Sequence, residues 1–186
     1  MVPFGRASIR KGMRKESKGK KKTAMRIGVL SDTHNNMKSV ERIAEIFESS
    51  DVERIIHTGD ITQAKVLDAL SGLTAEIHGV YGNNDLGEKE TLEEAAERNG
   101  MSFHDGPLEL DWAGRKIVVV HDPRDLEGVL APHHDLALHG HTHLHRLEEV
   151  EGSLVFNPGE CAGSLKGYNR VGLVDLESLT CELKHF

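Results

Sequence analysis

The sequence predicts an α/β protein in which two sheets pack face to face with helices outside. Three observations carry that expectation. Between Arg26 and about residue 100, short apolar runs alternate with segments whose apolar residues fall on one helical face. Beyond residue 100 the segments are short, often alternating in hydropathy, and separated by Gly, Pro or Asp. Metal-type side chains recur where the predicted strands stop. The first pattern reads as βαβ organisation and the second as mostly antiparallel strands.

The elements follow in order. Residues 26–31 (RIGVLS) form a short β-branched run, a buried strand. Within 36–49, Val40, Ile43, Ala44, Ile46 and Phe47 share one helical face. Residues 54–57 (RIIH) are strand-like, 62–70 helix-like and 76–81 (EIHGVY) strand-like again. The Glu/Ala-rich stretch 88–99 reads as a surface helix that ends near Gly100. Strands are then expected at 101–104, 108–112, 115–120, 135–139, 145–150, 153–156, 170–176 and 179–184.

Composition excludes several classes. The chain has 186 residues, the size of one domain, with 38% hydrophobic and 28% charged residues. No stretch approaches the roughly 18 apolar residues of a spanning helix, so no membrane role is expected. Cys161 and Cys181 are too few for a disulfide framework, and a reducing, cytoplasmic location is expected. Charge is uneven: residues 1–26 hold ten of the 23 Lys and Arg and one acid, Glu16, leaving the other 160 residues at −16. Residues 1–25 are therefore read as a basic, disordered tail and 26–186 as the domain. The tail is either a weak nucleic-acid or anionic-surface contact, or a solvated extension before Met25.

Chemistry gathers at the strand ends. Asp32-Thr33-His34 follows the first strand, Gly59-Asp60 the second and Gly82-Asn83-Asn84-Asp85 the third. His121-Asp122 follows the strand at 115–120, and Gly140-His141-Thr142-His143 the one at 135–139. Ligands of open α/β sheets bind beyond the carboxyl ends of strands. Asp32, His34, Asp60, Asn83, His121, His141 and His143 supply two carboxylates, four imidazoles and an amide. Such a set suits Mn²⁺, Fe, Ni²⁺ or Zn²⁺ and disfavours a thiolate zinc site. Seven ligands exceed what one ion with open positions takes, whereas two ions sharing a carboxylate account for them.

Each piece alone has a plainer reading. Asp-x-His after a strand is often a turn and helix cap, and Gly-Asp or Gly-Asn-Asn-Asp a turn. Gly-His-Thr-His is harder to dismiss, because His139, His141, His143 and His145 share one face if extended. His57, His78, His104, His133, His134 and His185 are assigned to core, strand surface or loop.

Taken together, Asp32-x-His34, Gly59-Asp60, Gly82-Asn83-x-Asp85, His121 and Gly140-His141-x-His143 resemble the calcineurin-like metallophosphoesterases. The compact form is similar to the YfcE-like phosphodiesterases, over about 27–186, and Asn157-Pro158-Gly159 matches a further family segment. The resemblance implies a four-layer α/β/β/α sandwich of two mixed sheets and a metal-dependent phosphodiesterase. It implies that Asp32, His34 and His143 hold one ion, that Asn83, His121 and His141 hold the other, and that Asp60 bridges them. The resemblance further implies that a hydroxide held between the ions would attack phosphorus in line, with the ions and the Asn83 amide stabilising the phosphoryl oxygens. Asp60, Asn83 and His121 are the expected catalytic residues, Asp85 a partner that orients a ligand, and Mn²⁺ the first choice of metal. A small phosphodiester substrate and a homodimer or homotetramer complete the expectation.

Three positions depart from the family. Asn84 stands where many members carry a His that protonates the leaving group, so good leaving groups are expected to be preferred, with His145 or solvent as a proton source. Asp122 stands where Gly is usual and Glu160 where a small residue is usual. Asp122 is expected either to obstruct anionic substrate near the second ion or to point outward, and the two carboxylates near the site to narrow the substrate range. Two rivals accompany this reading. One is a non-catalytic, metal-binding interaction scaffold of the same fold, like the retromer subunit. The other is a thiol hydrolase built on Gly159-Glu160-Cys161-Ala162-Gly163.

Overall fold

The computed structural model describes residues 25–186. The basic tail assigned to 1–25 lies outside them except at Met25, which packs beside the inter-sheet core and accepts a hydrogen bond from the Leu176 N–H. Strands β1 (Arg26–Leu30), β2 (Arg54–His57), β3 (Glu76–Val80) and β4 (Ser102–His104) run parallel in sequence order. β10 (Arg170–Asp175) joins β1 antiparallel and β11 (Thr180–His185) closes that edge, giving the order β11-β10-β1-β2-β3-β4. The second sheet has the order β5-β6-β7-β9-β8, from β5 (Leu108–Trp112), β6 (Arg115–Val119), β7 (Leu136–Leu138), β8 (Arg146–Val150) and β9 (Ser153–Asn157).

The strand alternation explains the layers. Ile27 and Val29 of β1, Ile56, Ile117, Val119, Leu136, Leu138 and Phe156 fill the space between the sheets. Leu30 and Ile55 face the other way, onto α1 (Met37–Glu48), α2 (Ala64–Leu70) and α3 (Lys89–Arg98). Each buried aliphatic side chain of this kind contributes about 1.5–3 kcal/mol. Asn36 caps α1 by accepting from the Ser39 N–H, and α1 buries Val40, Ile43, Ile46 and Phe47. On the outer face of the second sheet, Val118, Val120, Ala137 and Val155 are covered by Leu126. Leu126 ends a 3-10 turn at Pro123–Leu126, so the fourth layer is thin.

Two expectations change. The strands beyond residue 100 are less antiparallel than their sequence suggests: β4 runs parallel to β3, β6 to β7, and β7 to β9. β7 is a three-residue Leu-Ala-Leu run buried on both faces, and a short, doubly buried strand carries no alternation to reveal its direction. The helix expected from 62 begins at Ala64, because Thr62 adopts a left-handed backbone (φ 69°) and gives its N–H to Asp85 instead. No helix among the described residues is long and apolar enough to cross a membrane.

Candidate metal centre

Parallel pairing is what brings the strand-end residues to one place. Leu30, His57 and Gly79 stand side by side across β1, β2 and β3, so the segments carrying Asp32, Asp60 and Asn83 leave the same sheet edge. Val119 and Leu138 stand side by side across β6 and β7, and the next turns carry His121, His141 and His143. Five of the seven residues, Asp32, His34, Asp60, His141 and His143, have left-handed backbones with φ between 40° and 66°. Non-glycine residues adopt this region rarely, at a cost of order 1 kcal/mol or more each, and chiefly where a site demands it.

One group comprises Asp32, His34, Asp60 and His143, with one donor atom of each within 4.8 Å of the rest. His143 Nε2 stands 3.6 Å from Asp32 Oδ1, and His34 Nε2 stands 3.5 Å from Asp60 Oδ2. Asp32 Oδ1 and His34 Nε2 are buried without any hydrogen-bond partner. Buried lone pairs left bare are costly unless a cation or solvent meets them. Burial raises the Asp32 carboxyl, outweighing the Ser31 hydroxyl and the nearby His121 and His143 rings. This donor set fits a hard or borderline divalent cation.

The other group comprises Asn83, His121 and His141. His121 Nδ1 donates to the Thr58 carbonyl at 2.8 Å, which leaves the lone pair on Nε2. That Nε2 lies 3.0 Å from Asn83 Oδ1 and 3.2 Å from His141 Nδ1, and Asn83 Oδ1 lies 2.9 Å from His141 Nδ1. Three atoms able to act as acceptors thus meet in one place. Asp60 stands between the groups, with Oδ1 3.4 Å from His121 Nε2 and Oδ2 on the His34 side. Burial opposes its charge, but His121 and Asn84 outweigh that and hold the carboxyl below its ordinary range.

The supporting residues explain motif positions that are not themselves ligands. Asn84 donates to Asp60 twice, from its backbone N–H to Oδ1 (2.9 Å) and from its amide to Oδ2 (2.7 Å). Asp85 is fully buried and accepts from the N–H groups of Asp60, Thr62 and Gly82. It therefore orients the Asp60 backbone rather than a ligand side chain. Asn157 donates to the Gly140 carbonyl and the Thr142 hydroxyl, each at 3.1 Å, fixing the loop between His141 and His143. At Gly82 a Cβ would meet Asp60 Oδ1 at 2.2 Å, and at Gly140 it would meet Ser31 Oγ at 2.0 Å. Only hydrogen fits at these two positions.

His57, assigned to the core, is fully buried as expected, yet it ties two ligand loops together. Its Nδ1 accepts from the Gly59 N–H and its Nε2 meets the Thr33 hydroxyl, both at 3.1 Å. Burial pushes its pKa down to about 3, so it is neutral. Thr33 is remote from it in sequence, and no local signal pointed to that contact.

Two other expectations are corrected, that of one extended histidine face and that of Glu160 beside the substrate. His139 to His145 do not form one extended face: His141 and His143 turn through left-handed conformations into the centre. His139 is buried with Nδ1 on the Gly140 carbonyl, while His145 Nδ1 lies on the Asn157 carbonyl. Glu160 is completely buried and contacts His143, so it does not line a substrate surface. Asp122 caps the turn at Pro123 and pairs with Arg124, with its Oδ2 3.4 Å from His141 Nε2. Cys161 is fully buried and burial pushes its thiol up to about 12, which removes the thiol-hydrolase rival. Glu109, His133 and His134 also cluster, but His134 Nδ1 accepts from the Ala131 N–H, placing the ring proton on Nε2 toward Glu109 rather than a lone pair.

Comparison with known proteins gives the family and the fold. Residues 25–179 match the family model described as the calcineurin-like phosphoesterase superfamily domain. The chain is 36% identical over 157 residues to a phosphodiesterase of Methanocaldococcus jannaschii, covering 82% of this chain and 94% of that one. Among solved structures, a novel archaeal phosphodiesterase superposes with TM-score 0.79 at 34% identity, covering 87% of this chain and 100% of the other. YfcE, a phosphoesterase from E. coli, superposes with TM-score 0.61 at 19% identity over 86% and 98% of the two chains, a likeness of fold.

Proposed function

The chain belongs to the calcineurin-like phosphoesterase superfamily, and from that premise we propose that it is a metal-dependent phosphodiesterase with a two-ion centre. The observation that carries the reading is the placement of Asp60, whose two carboxylate oxygens face two separate donor groups. Asp32, His34 and His143 would hold one divalent ion, Asn83, His121 and His141 a second, and Asp60 both. Ions held there would supply an activated water for in-line attack on a phosphodiester and would neutralise charge on its phosphoryl oxygens. Mn²⁺ is the first choice, since the mixed imidazole and carboxylate donors suit it.

This chain's own residues contribute position and charge. The two Asn84 donors and the Asp85 carboxylate fix Asp60, so it is preorganised before any cation arrives. The Thr58 carbonyl fixes the tautomer of His121 and leaves its Nε2 lone pair free beside the Asn83 and His141 acceptors. An amide is not a general acid, so Asn84, which donates to Asp60, provides no proton for the leaving group, and diesters with good leaving groups are the preferred substrates. The test is hydrolysis of bis(p-nitrophenyl) phosphate by chelator-stripped protein. Turnover should return with Mn²⁺, and an Asp60→Asn variant should lose about a thousandfold or more, some 4 kcal/mol of transition-state stabilisation. A metal-binding protein with no turnover under any divalent ion sinks the enzyme reading in favour of a scaffold.

A further inference from the structure

Glu160 has a geometry that no ligand motif demands. Its side chain is completely buried, Oε2 lies 2.6 Å from His143 Nδ1, and Oε1 accepts from the Leu165 N–H at 2.7 Å. Its backbone is held as well: the Glu160 carbonyl accepts from the Arg170 N–H, and the next N–H, of Cys161, bonds the carbonyls of Ser31 and Asp32. The backbone at Glu160 is thus tied to the strand-end loop of Asp32, while its carboxylate holds the ring of His143. Since a carboxylate only accepts, Nδ1 of His143 carries the proton and Nε2 the lone pair. Nε2 is the atom that faces Asp32 Oδ1.

The second donor group lacks an equivalent. His121 donates to a neutral carbonyl, that of Thr58. His141 Nε2 faces Asp122, but that carboxylate is shared with the Arg124 guanidinium, which offsets its charge. A charge-assisted bond to a buried carboxylate polarises an imidazole more than a neutral acceptor does.

Resting on the reading that cations bind here, we infer that Glu160 is a positioning residue for His143. It fixes the Nδ1–H tautomer, strengthens Nε2 as a donor, and makes the Asp32/His34/His143 side the tighter of two cation sites. Outer-sphere partners of this kind typically change metal affinity 10–100-fold.

The experiment titrates the chelator-stripped full chain with Mn²⁺, counting free ion by its paramagnetic resonance. Wild type should bind in a tight and a weak phase. Glu160→Gln keeps the side-chain shape and should weaken the tight phase about 10–100-fold while leaving the weak phase unchanged. An unchanged tight phase, two equal sites in wild type, or a parallel loss in both phases overturns the inference. Long-range ¹H–¹⁵N spectra of metal-free wild type test it without the variant: His143 should be the Nδ1–H tautomer, and an Nε2–H tautomer overturns it. Wild type that binds no Mn²⁺ overturns the two-ion reading itself, a distinct result.

Discussion

The donors on one side of Asp60 are built on buried charge, and those on the other side are neutral. Asp32 brings its own carboxylate, Glu160 stands behind His143, and two donor atoms are buried without partners. Across Asp60, an amide and two imidazoles lie within 3.2 Å of one another, backed by the Thr58 carbonyl. The charged side leaves buried charge unmet without a cation, while the neutral side brings three acceptor atoms together, with the His121 ring fixed by the Thr58 carbonyl. Preorganisation and unmet charge are thus separated in space, and the shared carboxylate is where they meet.

Several experiments would break or sharpen that contrast. The largest effect after loss of the Asp60 carboxylate is expected from Gly82→Ala, whose methyl would enter 2.2 Å from Asp60 Oδ1. Displacing that carboxylate should lower kcat/KM about a hundredfold, with the fold retained by circular dichroism. Wild-type activity in this variant would mean that the placement of Asp60 is not critical.

Asp32→Asn probes the charged side alone. It removes a buried carboxylate whose Oδ1 has no partner, so the metal-free protein should gain about 1 kcal/mol, or roughly 2–4 °C in melting temperature. The same variant should lose tight Mn²⁺ binding, and a lower melting temperature would contradict the view that this side is strained by unmet charge.

Acid acts on a third element, the His57 link beneath both sides. Its folded pKa is depressed to about 3 from 6.5 because burial disfavours the charged ring. The unfolded chain therefore binds more protons between these values, and stability should fall as pH drops below 6.5. The slope from His57 approaches about 1.4 kcal/mol per pH unit until about pH 3. Replacing His57 with Gln should flatten that part of the profile, as measured by chemical denaturation. The smallest effect is expected at Cys161: alkylating the folded protein should leave activity unchanged, since the thiol is buried and protonated.

Much of the fold was legible because alternation and helical spacing are local properties. The Val40, Ile43, Ile46 and Phe47 face of α1 and the end of α3 before Gly100 follow from side-chain spacing and a glycine with φ 66°. The direction of β7 was not legible, since Leu136-Ala137-Leu138 is buried on both faces and fits either pairing. That direction matters, because parallel pairing with β6 puts His121 and His141 at the same edge.

The site divides along the same line. Residue types and their place after strands were sufficient to single out Asp32, His34, Asp60, Asn83, His121, His141 and His143, because ligand chemistry resides in the side chain itself. Their division about Asp60 was already implied by the family resemblance, whereas the left-handed backbones that aim them and the partners Glu160 and His57 were decided by the tertiary structure. Those properties depend on contacts such as Glu160 with His143 and His57 with Thr33, between loops that the chain alone keeps apart. Strand order and burial set such distances and determine which nitrogen of a histidine keeps its lone pair.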